Sequence, residues 1–372
     1  MASEKYETFL NLVRLGIGHV GIANFKQHVD WTQMKALAGA QGLTAVVLDG
    51  LDSVEFNGSN SSKTDTLPLE LKLEWIGDVL QNYEQRYKQY EEAIGSLAGF
   101  YNKHCVKMMV LKGYTCSLDW PRPGHRPCGD IDVWLFGQQQ EADKALVYSS
   151  SIGELEDKLT IDSSHHHHTV FEWQGFIVEN HYDFVNVHAH KSSKELEVIF
   201  KGLGQNDTYF VEVNGEKVYI PSPNLHALFL VKHMVSHFAA AEITLRQVLD
   251  WAFFVEKHTN EIDWEWLVKL LGKYHMLDFY NCINAICVGD LGFDVKMFPN
   301  VQFDPAQKDK VLADILSPEF SGKEPRELIS RVVFKWRRWK ANEWKHKLCY
   351  KESMWSSFWS GVWNHLLKPS SI

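Results

Sequence analysis

Two aspartates one residue apart, Asp130 and Asp132, are the side chains of this 372-residue chain best placed to do chemistry. They interrupt an apolar run, Ile131, Val133 and Leu135, and alternate residues of a strand share a face. The apolar three should therefore turn one way and the carboxylates project together the other way. Two carboxylates at the end of a buried strand are costly unless a cation neutralises them. The pair reads as a divalent-metal site; the plainer alternative is two exposed aspartates with no role. Just upstream, the apolar run Val106 to Leu111 ends in Lys112-Gly113. A Pro/Gly-rich loop carrying Arg122, His125 and Arg126 joins the two runs, so the acids lie beside a glycine turn.

A second group of chemical residues follows in HHHHTVFEWQGFIVENHYDFVNVHAH, residues 165–190. This reads as a hairpin, with one strand through Phe171 and Trp173, a turn at Gln174-Gly175 and a second strand from Phe176. Ile177, Glu179, His181 and Asp183 would share a face of that second strand. The four histidines 165–168 look like a purification tag, but they sit mid-chain and run into a strand, so they read as native. His181, His188 and His190 fall at strand-like spacing, and His233 and His237 at helical i, i+4 spacing. Zinc could bind such sets, although no HExxH context supports a catalytic zinc. Arg246 and Asp250 are four apart on a helical pattern and can pair.

The elements that must position these residues are legible in outline. Residues 5–20 suit a short helix. Asp30 is a plausible N-cap for a helix through Met34, Leu37 and Ala38, with a stop at Gly42. Residues 52–66 read as an exposed loop. From Thr66 and Pro68 onward, apolar residues recur at Leu69, Leu73, Ile76, Leu80, Tyr83, Tyr87, Tyr90, Ile94, Leu97 and Tyr101. Steps of four and three make a heptad seam on one helix roughly 50 Å long. The seam is expected to pack on the other N-terminal helices, with a dimeric coiled coil as the alternative. A helix is expected at Gln138 to Ser150, and Asn214-Gly215 marks a type I′ hairpin. Ser222-Pro223 starts another helix, with a further one through Leu245 to Val255. Asp263-Trp264 opens a segment whose spacing matches Asp30-Trp31, either a weak internal repeat or two copies of a good helix start.

Composition narrows the class. The length allows two domains or three small ones. A net charge of −9 argues against a general nucleic-acid coat. No signal peptide and no membrane span is expected. The six cysteines form no CxxC pattern and read as reduced thiols, which suggests a cytoplasmic protein. One interval departs from the acidic balance: Arg331, Lys335, Arg337, Arg338, Lys340, Lys345, Lys347 and Lys351 face only Glu343, with Trp336, Trp339 and Trp344 interleaved. This basic, Trp-rich C-terminus could contact an anionic partner such as phosphate, RNA or lipid, or pack its tryptophans on the body with its charges solvated.

The order of an apolar strand, Gly113, a loop with Arg126, Asp130-Ile131-Asp132, a helix and a third carboxylate resembles the nucleotidyltransferase superfamily of polymerase beta. More closely, it resembles an uncharacterised nucleotidyltransferase family with the motifs LKG, R, DID, VE-x-H and LRQ-x-x-D. Here these are Leu111-Lys112-Gly113, Arg126, Asp130-Ile131-Asp132, Val178-Glu179-Asn180-His181, and Leu245-Arg246-Gln247 with Asp250. The chain departs at Tyr114, where the superfamily usually has Ser, and at Asn180, where an apolar residue is commoner.

The resemblance implies an α+β fold: a central nucleotidyltransferase-type mixed β-sheet domain, residues 105–220, flanked by N-terminal (1–104) and C-terminal (221–372) helical regions. It implies transfer of a nucleoside monophosphate from an NTP, possible with ATP, to an unidentified acceptor (small molecule, protein, sugar or RNA). Charge on the attacking and leaving oxygens would be met by two Mg²⁺ ions, held by Asp130, Asp132 and Glu179. Asp183 is the rival for the third place. Gly113 would let phosphate approach the backbone. Lys112 and Arg126 would offer charge, Arg126 being preferred for its forked geometry or else pairing with Asp130. His181 would orient Glu179. Arg246 would either clamp helix to site or contact the acceptor. Two rivals are a DxD glycosyltransferase, which calls for an α/β N-terminus where this one reads helical, and a degenerate member that binds nucleotide or a partner without turnover.

Overall fold

The computed structural model describes residues 4–19, 29–53, 67–155, 159–162, 168–187, 190–299, 302–320, 325 and 327–355. Three helices come first: α1 (Glu4–Gly16), α2 (Trp31–Ala40) and α3 (Thr44–Asp52). The Asp30 carboxylate accepts from Gln33 N at 3.0 Å and so caps α2 as expected. The expected loop at 52–66 falls almost wholly outside the described residues.

The long seam forms as α4 (Leu69–Val79), a π-helical turn at Leu80–Gln85 and α5 (Arg86–Lys103). The turn changes which residues face inward. Trp75, Val79, Tyr83, Tyr87, Tyr90, Ile94, Leu97 and Tyr101 are buried. Leu69 and Leu73, two heptad positions, are 70% and 60% exposed. The heptad reading therefore holds only from Tyr83 onward, because an i→i+5 turn rotates the preceding segment relative to a regular helix. Its partner is split: up to Tyr83 the segment packs on the N-terminal helices as expected, with Trp75, Val79 and Tyr83 in one core with Phe9, Met34 and Leu48, and beyond it the partner differs. The α5 stripe packs on the sheet, with Tyr90, Ile94, Leu97 and Tyr101 sharing one core with Ile131, Val133, Phe171 and Val178. Each such fully buried apolar side chain contributes roughly 1.5–3 kcal/mol.

The sheet is mixed and six-stranded: β1 (Met109–Val110), β2 (Ile131–Trp134), β3 (His168–Trp173), β4 (Phe176–His181), β5 (Phe210–Val213) and β6 (Glu216–Tyr219), in the order β3-β4-β2-β1-β6-β5. Four-residue α6 (Tyr114–Ser117) follows Gly113, and α7 (Gln139–Ser151) and α8 (Lys191–Gln205) follow β2 and β4. The hairpins turn at Gln174-Gly175 and Asn214-Gly215, where all four residues have positive φ, as a type I′ turn requires. β2 runs parallel to β4 and antiparallel to β1. One face of β2 carries Ile131 and Val133 into the α5 core, while Trp134 on the other face joins Phe184 and Phe200 in a larger core with the C-terminal helices.

Those helices are α9 (Pro223–Ala240), α10 (Leu245–His258), α11 (Trp264–Lys273), α12 (Leu277–Gly289), α13 (Pro305–Leu316), α14 (Leu328–Ala341) and α15 (Glu343–Cys349). The two Asp-Trp segments match beyond their starts. Asp263 caps α11 through Trp266 N as Asp30 caps α2. Both helices end in a positive-φ residue, Gly42 or His275, and both close the turn with the same bonds: Leu43 N to Ala38 O at 2.8 Å, Met276 N to Leu271 O at 2.9 Å. The repeat thus extends over a helix–turn–helix unit.

No helix among the described residues is long and apolar enough to cross a membrane. All six cysteines are free thiols. In the basic segment, Lys345 is buried against Asp314 at 2.6 Å and Trp344 packs on the core, whereas Trp336 on α14 is exposed. The sequence after Trp355 lies outside the described residues.

Candidate active site

The register of β2 on β4 builds the site. In this parallel pair Asp132 lies opposite Glu179, and Trp134 opposite His181. Asp132 and Glu179 therefore project side by side from one face, and Asp130 enters from the exposed residue just before β2. Asp132 is 2% exposed, so its charge must be met locally. Two cations do this: Lys112 Nζ lies 3.1 Å from Asp132 Oδ1, and His181 Nε2 lies 3.1 Å from the same oxygen. His181 Nε2 also reaches Glu179 Oε2 at 3.2 Å, so it bridges the two acids.

The titrations follow from this geometry. Burial would raise Asp132, but Lys112 and then His181 hold it well below the usual carboxylate range. The hydrogen bond from His181 lowers Glu179, against burial. Burial opposes the charge on His181, yet the bonds to Asp132 and Glu179 lift it to about 9. Asp130 is raised, by partial burial and by repulsion from Asp132 and Glu179.

Gly113 has φ +70, and a Cβ there would stand 2.5 Å from Tyr90 Oη. That hydroxyl donates to Asp130 O at 2.9 Å. The glycine is thus required by backbone conformation and by the tyrosine that fixes the aspartate loop. Tyr114, where a serine would be usual, turns into the α5 core and donates to Glu91 at 3.2 Å. Asn180 is fully buried, donating to Asp143 at 3.0 Å and accepting from Tyr101 at 3.1 Å. A polar residue is accommodated there because both halves of its amide are satisfied.

A cleft of about 150 Å³ opens beside the acids, lined by Lys112, Gly113, Asp130 and Asp132 from the sheet side and by His233, Arg246 and Gln247 from α9 and α10. Arg126, expected to bind phosphate or to pair with Asp130, is engaged elsewhere. It forks onto Asp250, with Nε to Oδ1 at 2.7 Å and Nη2 to Oδ2 at 2.9 Å, and Trp120 Nε1 donates to the same carboxylate at 2.9 Å. Asp250 is therefore the partner of Arg126 and not of Arg246. Among the described residues, no carboxylate lies within ion-pair distance of Arg246. Its stem passes over the Gly42 turn, the residue lines the cleft, and burial lowers its pKa.

Other expectations distribute as follows. Asp183 lies beyond the end of β4 and pairs with Lys201, which removes it from the acid cluster. His190 stacks on Tyr350 with ring centres 3.9 Å apart. His188 lies outside the described residues. His233 and His237 face each other, with ring centres 4.3 Å apart. A third histidine that sequence spacing did not single out, His168, stands opposite His181 across β3 and β4, its Nε2 4.0 Å from Glu179 Oε1. Cross-strand register was the missing signal.

Carboxylate oxygens such as those of Asp130, Asp132 and Glu179 suit a hard divalent cation such as Mg²⁺; among the described residues, the three groups whose ligand atoms lie within 4.8 Å of one another are His168, Glu179 and His181. Residues 27–288 match the family model described as Uncharacterised nucleotidyltransferase. No curated protein and no solved structure matches the chain.

Proposed function

The chain belongs to the uncharacterised nucleotidyltransferase family, and from that premise we propose that it moves a nucleoside monophosphate from an NTP to an acceptor hydroxyl or other nucleophile in a Mg²⁺-dependent reaction. The observation that supports this reading is the pairing of Asp132 with Glu179 across β2 and β4, with Asp130 and Asp132 lining a cleft that Lys112 and Arg246 also line. Asp130, Asp132 and Glu179 would hold the cations. Bound divalent ions would supply neutralising charge to the attacking and leaving oxygens.

The chain's own residues divide the remaining work. Lys112 sits on Asp132 at 3.1 Å on a flexible, part-exposed stem. It is placed to exchange that carboxylate for a phosphate oxygen once metal neutralises the acids. Arg246, a cation with no carboxylate in ion-pair range among the described residues, would take a second phosphate bidentately. His181 fixes the relative position of Asp132 and Glu179. Arg126 acts indirectly, as the clamp that joins the aspartate loop to α10. The cleft, at about 150 Å³, is below the 300–1,000 Å³ typical of small-molecule sites and suits the phosphates rather than the whole nucleotide. The three-part division at 1–104, 105–220 and 221–372 accompanies this proposal.

Tyr114, whose hydroxyl turns away from the cleft to Glu91, favours a second reading in which the chain binds NTP without turnover. α-Labelled NTPs with Mg²⁺ separate the two. Label transfer and pyrophosphate release by the wild type, abolished in Asp130→Asn and Asp132→Asn, support catalysis. Equal incorporation by wild type and variants rules out the assigned roles, and tight NTP binding without pyrophosphate favours the binding module.

A further inference from the structure

The face that carries Glu179 carries two imidazoles as well, and an oxygen-only Mg²⁺ site takes neither as a ligand. His168 and His181 oppose each other across the β3–β4 pair, and Glu179 precedes His181 by two residues on the same face. One donor atom from each of His168, Glu179 and His181 falls within 4.8 Å of the other two. A tetrahedral zinc ion with bonds of about 2.0–2.1 Å needs donors about 3.3 Å apart. His181 Nε2 is 3.2 Å from Glu179 Oε2, and His168 Nε2 is 4.0 Å from Glu179 Oε1. Small side-chain rotations close the difference. Once the ion displaces the proton that His181 holds, two imidazoles with one carboxylate form a donor set for borderline transition metals, and Mg²⁺ selects against nitrogen.

We propose that His168, Glu179 and His181 form a zinc-class metal site beside the diaspartate pair, with water in the fourth position, and that the two sites share Glu179. A zinc ion that takes Glu179 and His181 withdraws both from Asp132. Occupancy of this site therefore opposes the Mg²⁺-dependent reaction. The site itself stands on the geometry of β3 and β4; only the opposition rests on the function proposed above.

The test begins with ZnCl₂ titrated by calorimetry into the metal-free full-length chain, with X-ray absorption of the loaded protein. One equivalent bound through two imidazoles and a carboxylate is expected. Affinity should fall at least tenfold in His168→Ala and in Glu179→Gln, and stay at the wild-type value in Asp130→Asn. Circular dichroism melts check that each variant folds, and His168→Gln replaces His168→Ala if the latter does not. No zinc binding, or affinity unchanged in both His168 and Glu179 variants, overturns the site; in the second case the ion is bound elsewhere, the 165–167 histidines for one. In the Mg²⁺ assay, zinc should inhibit the wild type and spare His168→Ala, and equal inhibition of both overturns the shared-ligand mechanism. If the wild type transfers no nucleotide, the functional reading fails and the calorimetry still decides the site.

Discussion

Two charged networks flank the same cleft and are built on opposite terms. On the α10 side, Arg126, Asp250 and Trp120 form a closed set: Asp250 receives three hydrogen bonds, and Arg126 forks onto it from a buried position. On the strand side, Lys112 and His181 meet Asp132 and His181 also meets Glu179, while Asp130 has no ion pair among the described residues; Arg246, from α10, lines the cleft in the same state. In the closed network both carboxylate oxygens of Asp250 are engaged and its charge is matched by Arg126, which leaves little to offer a ligand. An unbalanced one keeps its carboxylates and its arginine available to ions and phosphates brought from outside. The difference fits a structural role on one side and, on the function proposed above, chemistry on the other, although both contain an arginine and an aspartate.

The largest expected effect tests the closed side. Asp250→Ala strands a buried guanidinium and should cost on the order of 3–5 kcal/mol, read as a fall in denaturant midpoint. The double variant Arg126→Met/Asp250→Leu should recover most of that loss, and no recovery would mean that the pair does more than satisfy itself. On the open side, Asp132→Asn should lower nucleotidyl transfer at least about 10²-fold, beyond the usual effect of residues that only support a metal ligand, with a near-wild-type melting temperature. A parallel collapse of stability would erase the contrast between the two sides.

Acid sensitivity should map to the closed side too. His226 is buried beside Cys116, its ring centre 4.8 Å from that of Phe254. Burial first, with His258 and Arg126 adding to it, pushes its pKa down to about 4, against the pull of Asp119 and Asp250. The folded state binds this proton less readily than the unfolded state, whose value is near 6.5. The His226 contribution is therefore complete above pH 6.5 and is lost as pH falls toward 4, amounting to an order of 2–3 kcal/mol. His226→Gln should flatten the stability profile over that window, as chemical denaturation at successive pH values would reveal. Smallest is Arg246→Met, which should raise the KM for NTP about tenfold and leave stability unchanged or slightly improved, because it removes a poorly compensated charge. Lower stability with unchanged KM would move Arg246 to the structural side.

The features legible in sequence are those fixed by neighbours. Alternation placed Asp130 and Asp132 opposite Ile131 and Val133, Asn214-Gly215 set a hairpin, and Asp30 and Asp263 marked two helix starts. The third acid, Glu179, was legible only through family motifs, because its position beside Asp132 depends on pairing between strands 47 residues apart in sequence. The engagement of Arg126 by Asp250 spans 124 residues and leaves no local mark. An i, i+4 rule pointed to Arg246 instead, since helical spacing reports proximity and not which of two arginines arrives with the better fork. His168 was masked by its own surroundings: in a run of four histidines, nothing local says which one enters the strand.

The π-turn at Leu80–Gln85 also carried no sequence signal, and it makes one helix serve two masters. Before it, Trp75 donates to Thr44 O at 3.0 Å and grips the amino-terminal helices; after it, Tyr90 secures the carbonyl of Asp130. Excising a single residue at the turn would restore ordinary winding and swing the earlier segment through about 100°. Leu73 and Ile76 would then compete for the interior and Trp75 would lose its anchor, while the tyrosines beyond stayed seated. The spare residue is thus a phase adjustment, and a one-codon deletion there would uncouple the amino-terminal bundle from the aspartate loop without touching any residue of either.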